Sequence, residues 1–140
     1  MASNDFFIDT SAFLALKNKK DAHHEHAVKI AEYVVSQTLQ KGITTDYILD
    51  ETYTLIKMRA GSFAAIQFGE EIRSGARLHI MNVDALLQDR AWLLFKKYSD
   101  KEFSFTDCTS FAVMKEMKLR NAFAFDKHFT QAGFTLLDYS

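Results

Sequence analysis

Short apolar runs alternate with stretches of three- and four-residue hydrophobic spacing along the chain, the pattern of strands interleaved with helices. The run Phe6-Phe7-Ile8 predicts a strand over residues 4–8, followed by a short helix over about 11–17. After a charged break, Lys17-Asn18-Lys19-Lys20-Asp21, a stripe of Ala27, Ile30, Ala31, Val34, Val35 and Leu39 predicts a helix over about 24–40, with Gly42 as its stop. Ile43-Thr44-Thr45 predicts a β-branched strand. Helices follow over about 47–58 and 63–73, broken at Gly61-Ser62 and stopped at Gly75. Residues 78–83 predict a third strand and 85–98 a helix carrying Trp92. A helix over about 106–119, a strand over 122–125, a loop and a strand over 134–137 complete the chain. Five strands separated by helices imply an α/β fold with a mainly parallel five-stranded sheet. No proline, Gly/Ser linker, repeat or low-complexity tract marks a boundary, so residues 1–140 read as one domain.

Four acids interrupt this pattern. Asp9 and Asp126 each end an apolar strand run, at the carboxyl end where ligands bind in open parallel sheets. Glu51 is spaced with Ile48, Leu55 and Met58, and Asp107 with Phe111 and Met114, so both are expected on the inward faces of their helices. Isolated buried carboxylates are costly. Convergence on a hydrated cation would offset that cost and create a reactive site. Each acid also has a bland reading: Asp9 as a helix cap, Asp107 as the acid of a capping box with Ser104, Glu51 paired with Lys57 or turned to solvent, and Asp126 paired with Lys127. Four coincidences on one sheet edge are harder to accept than any one.

Composition narrows the choices. The chain has 140 residues, is 48% hydrophobic and contains thirteen phenylalanines, enough for an aromatic core and against long disorder. Its formal charge is -1, with seven Lys/Arg against nine Asp/Glu in residues 1–70 and ten against nine in 71–140. No global basic field attracts nucleic acid, so a polyanion must be gripped by local patches, metal or an added protein. The single cysteine, Cys108, excludes an intramolecular disulfide framework and reads as a buried structural thiol. Without a signal peptide or a long apolar run, a soluble cytoplasmic protein is expected.

The segments Phe6-Phe7-Ile8-Asp9-Thr10-Ser11-Ala12, Leu49-Asp50-Glu51-Thr52, Phe105-Thr106-Asp107-Cys108-Thr109 and Phe123-Ala124-Phe125-Asp126-Lys127-His128-Phe129 resemble, in order and spacing, the acidic motifs of PIN-domain nucleases, the small bacterial and archaeal VapC-type toxins above all. The resemblance spans essentially the whole chain. It implies a three-layer α/β/α sandwich and a divalent-metal-dependent endoribonuclease that hydrolyses RNA phosphodiester bonds. Asp9, Glu51, Asp107 and Asp126 match the acidic quartet that holds Mg²⁺ or Mn²⁺, with Asp9 and Asp107 as principal ligands. Thr10, Ser11 and Thr106 match its small polar companions; Asp46 and Asp50 flank the site without being carried over. Clustered like charges predict at least one raised carboxyl pKa in the metal-free protein. The resemblance further implies a homodimer and a small cognate antitoxin whose tail covers the acidic groove.

RNA contacts are sought at Lys17, Lys19 and Lys20, or at Lys115, Lys118 and Arg120 near the fourth acid, against the reading of a solvated charged face. Phe63, Phe68, Trp92 and Phe95 are either interface or core. His23, His24 and His26 lack the His-Glu-x-x-His pattern of a zinc protease and read as a polar helix entrance. His128 either touches substrate or packs in a loop. A phosphotransfer receiver lacks its acidic pair at strand one, and a haloacid-type phosphatase lacks Asp-x-Asp, since Asp9-Thr10-Ser11 stands there. The alternative from another class is a non-catalytic RNA- or protein-binding module on the same scaffold.

Overall fold

The structure, a computed structural model, describes residues 4–37, 40–75 and 77–139. In chain order its elements are β1 (Phe6–Ile8), α1 (Thr10–Lys17), α2 (His24–Ser36), β2 (Gly42–Thr45), α3 (Asp46–Ala60), α4 (Ser62–Ser74), β3 (Leu78–Met81), α5 (Ala85–Lys97), α6 (Phe105–Glu116), β4 (Asn121–Phe123), α7 (His128–Gln131) and β5 (Thr135–Leu136). The strands form one parallel sheet in the order β3-β2-β1-β4-β5, with Phe7 opposite Ile43 on one side and Ala122 on the other. Successive strand residues face opposite sides, yet every residue of β1 and β2 is buried. Both sheet faces are therefore covered by helices, giving the expected three-layer α/β/α sandwich.

The core is aromatic. Phe7, Phe111 and Phe129 are fully buried, with Phe111 edge-on to Phe129 at 5.2 Å and to Phe103 at 5.1 Å. Phe68 joins this core, whereas Phe63, Trp92 and Phe95 are exposed. Among the described residues no helix is long and apolar enough to cross a membrane.

Three local expectations change. First, α2 stops at Ser36, and Gly42 begins β2 instead of ending the helix; Leu39 lies outside the described residues. The carbonyls at the helix end and just past it are held by a side chain: the Arg77 guanidinium donates to Val35, Gln37 and Gln40 at 3.2, 2.6 and 2.9 Å. Second, the buried face of α3 is Ile48, Leu49, Thr52 and Ile56, leaving Glu51 and Met58 exposed. The face is rotated because Thr52 enters the core with its hydroxyl satisfied, donating to Ile48 O at 2.7 Å and lying 3.3 Å from Thr10 Oγ1. Third, the segment expected as a loop after β4 contains the single turn α7, anchored by the buried Phe129.

Candidate functional site

The strand order reverses between β1, whose next strand lies to one side, and β4 on the other, so the crevice at their carboxyl ends is the natural ligand position. The backbone N–H of Asp9 continues the ladder by donating to Phe123 O at 3.0 Å, which fixes where the chain leaves β1. Asp9 then caps α1: its Oδ2 accepts from Ser11 N at 3.2 Å and Ser11 Oγ at 2.7 Å. The same Ser11 Oγ accepts from Phe125 N at 3.0 Å, tying the ends of β1 and β4 together. Asp9 is thus a helix cap that also stands at the carboxyl end of β1, the position expected for a site acid. Burial, followed by repulsion from Asp107 and Asp126, pushes its carboxyl up to about 6 despite the opposing Ser11 hydrogen bonds.

Asp107 likewise serves twice. It is the third residue of α6 and closes a capping box with Ser104, its Oδ2 accepting from Ser104 N at 3.0 Å. That oxygen also accepts from His128 Nδ1 at 2.8 Å. His128 reaches Asp126 as well: its backbone N–H donates to Asp126 Oδ1 at 2.9 Å, and its Nδ1 lies 3.3 Å from that oxygen. Donation requires the proton on Nδ1, so two carboxylates fix the imidazole tautomer. One donor atom from each of Asp107, Asp126 and His128 lies within 4.8 Å of the others. Among the described residues, Asp9 Oδ1, Asp107 Oδ1 and Asp126 Oδ2 accept no protein hydrogen bond. Each acid is held by one oxygen and offers the other. That arrangement, oxygen-rich and partly buried, fits a hard divalent cation.

Glu51 stands apart from this triad. Exposed on α3, it lines an open groove with Asp46, Tyr47, Asp50, Thr54, Leu55 and Thr106, the residue beside Asp107. It is on the groove wall and not on the inward face expected from its spacing. Thr10 is buried and engaged with α3, donating to Ile48 O at 3.5 Å, so it pins α1 to α3 instead of touching a carboxylate. Asp46 Oδ1 accepts from Val83 N at 2.9 Å and latches the ends of β2 and β3. Cys108 is fully buried, and burial reinforced by Asp107 pushes its thiol up to about 11, the inert structural thiol expected.

The basic residues divide. Lys17 is ion-paired with Glu71, while Lys19 and Lys20 are exposed in the loop before α2. Lys115, Lys118 and Arg120 are not near Asp126. They lie beyond about 12 Å of α6 rise from Asp107, at the amino ends of the strands, where β4 begins. His128 is the site residue whose role was undecided from sequence; its only signal was adjacency to Asp126 at the strand end.

Over 128 residues the chain is 37% identical to the 23S rRNA-specific endonuclease VapC20 of Mycobacterium tuberculosis, a span covering 91% of this chain and 94% of that protein. It is 33% identical over 124 residues to a VapC ribonuclease of Archaeoglobus fulgidus, covering 88% of this chain and 78% of that one. The crystal structure of Mycobacterium tuberculosis VapC20, described as a Sarcin-Ricin loop cleaving toxin, matches with a TM-score of 0.82 at 35% identity, over 93% of this chain and 96% of its own. FitAcB from Neisseria gonorrhoeae, at 14% identity, shares the fold alone, with a TM-score of 0.66 over 95% of this chain and 96% of its own. The PIN domain family model matches residues 6–135, and with nearly the whole chain inside that match, this protein belongs to the PIN domain family.

Proposed function

We propose that this chain is a divalent-metal-dependent endoribonuclease that hydrolyses RNA phosphodiester bonds, acting as the toxin of a toxin–antitoxin pair. The observation that carries the reading is the crevice at the ends of β1 and β4: Asp107, Asp126 and His128 offer ligand atoms within 4.8 Å of one another, Asp9 is near enough to feel the charge of both other acids, and each acid keeps a carboxylate oxygen not used by the protein. Identity of 37% to a 23S rRNA-specific endonuclease supports it, and makes structured ribosomal RNA the first substrate to assay.

Asp9 and Asp107 would be the principal ligands of Mg²⁺ or Mn²⁺, with Asp126 completing the set and Glu51 acting from the groove wall. When bound, such an ion supplies Lewis acidity toward water and phosphate. The chain's own part is positional. Ser11 orients Asp9, and His128 keeps Asp107 and Asp126 from splaying under mutual repulsion. Thr106 and Glu51 face the groove through which an RNA strand would run. A homodimer and a small cognate antitoxin follow from the family likeness, and the exposed Phe63, Ile66, Trp92 and Leu93 are our choice for those interfaces.

The test compares the parent with Asp9→Asn on ribosomal RNA, with Mg²⁺ or Mn²⁺ and with a chelator. Cleavage by the parent that requires the cation, and loss of at least a hundredfold in Asp9→Asn, is the expected result. Full activity in the variant would overturn the assignment.

A further inference from the structure

We infer that His23, stacked on Phe125 beside the site carboxylates, is a platform for an unpaired nucleobase of the RNA, an inference that rests on the nuclease reading above. The imidazole lies parallel to the Phe125 ring, with centroids 4.5 Å apart and 9° between planes. Phe125 is braced on its other sides by Phe123, at 6.1 Å, and by the edge of His26, at 5.6 Å. His26 is in turn held by Asp138 at 3.0 Å and by the Tyr139 ring at 5.4 Å. The lower ring of the stack is therefore fixed, while His23 itself is exposed.

The ring of His23 has no structural task on its own helix. His23 occupies the cap position of α2 but makes no side-chain cap bond; the link to Asp21 uses its backbone N–H. Its location is specific to the site. Phe125 adjoins Asp126 in the chain, and its N–H reaches Asp9 through one serine, by hydrogen bonds of 3.0 and 2.7 Å. A base resting on His23 would thus belong to a nucleotide close to the phosphate at the carboxylates. Lys19 and Lys20, exposed in the same loop, are available for its backbone.

Stacking answers a difficulty set by charge. With a net charge of -1 and three acids converging, the site has little electrostatic attraction for RNA. An aromatic face holds a base regardless of charge and with little sequence preference, the mode used for unpaired nucleotides in loops and single strands.

The test uses Asp9→Asn protein, which holds RNA uncut, and a short single-stranded RNA carrying 2-aminopurine, a base whose fluorescence is quenched by stacking. Binding should quench the probe. Adding His23→Ala should abolish the quenching and weaken affinity roughly 5- to 150-fold, while His23→Phe should restore both. His23→Gln, a non-aromatic side chain, serves should the alanine variant fail to show a cooperative thermal unfolding transition. Unchanged quenching in His23→Ala or His23→Gln, or no quenching or no binding with His23 present, overturns the platform. If the parent fails to cut RNA but His23-dependent quenching persists, the nuclease reading falls and the platform stands. If the parent cuts and quenching ignores His23, the reverse holds.

Discussion

Asp9 is asked to be buried and ionised at once, and its pKa near 6 records the conflict. The usual value is 3.8, so the folded protein keeps a proton that the unfolded chain releases between about pH 4 and pH 6. Metal-free stability should therefore fall as pH rises through that window, by on the order of 3 kcal/mol in total, and stay low above it. Urea unfolding in chelator at several pH values, with Asp9→Asn as reference, reads this directly; the gap between variant and parent should widen from pH 4 to pH 6. His128 is the second residue with a clear expectation. Replacing it with alanine removes the donor shared by Asp107 and Asp126 and should lower cation affinity or cleavage about 10- to 100-fold. A cation titration of the folded variant checks it. Asp9, Asp107 and Asp126 were legible because a carboxylate after an apolar strand or on an apolar stripe is chemically out of place. His128 was not, because one histidine beside an aspartate acquires meaning only when α7 turns its ring toward Asp107.

Helix α6 shows how an element's own stability can position a site. Its capping box holds Asp107 by one edge of the carboxylate, and the same oxygen accepts the hydrogen bond from His128 Nδ1. Ser104→Ala should cost about 1 kcal/mol of stability, measured by urea unfolding. Cleavage should fall less than in His128→Ala, because the backbone N–H of Ser104 and the imidazole still hold Asp107. A variant with unchanged stability would remove the cap from this account. Element boundaries were readable from spacing wherever glycine or a side-chain cap ended a run, as at Gly61, whose φ of +96° suits glycine. Two features resisted. The end of α2 depends on Arg77, about forty residues away in the chain, so nothing local announces it. The rotated face of α3 depends on Thr52, a polar residue whose hydroxyl bonds the preceding turn and Thr10; hydrophobic spacing counts such a threonine as outward.

At the scale of the molecule, the strand order β3-β2-β1-β4-β5 does what no single element can: it brings the first motif beside the last. The alternation of strands and helices made the parallel sheet evident, whereas nothing in the spacing of the runs gave the strand order, and the pairing of β1 with β4 came only from the structure. Their repulsion stores free energy that a cation should release. Mg²⁺ or Mn²⁺ at about 100 times its dissociation constant should raise stability by about 2.7 kcal/mol. The gain should be reduced or lost in Asp9→Asn, as followed by thermal unfolding against cation concentration. No cation dependence in the parent would remove the metal from this site. Pairing across so much of the chain also sets an order of assembly. Phe6 leaves the ribosome 115 residues ahead of its partner Asn121, so the crevice between β1 and β4 cannot close until β4 and Asp126 have followed. A chain cut off before Asn121 would therefore lack the crevice altogether instead of carrying a weakened one.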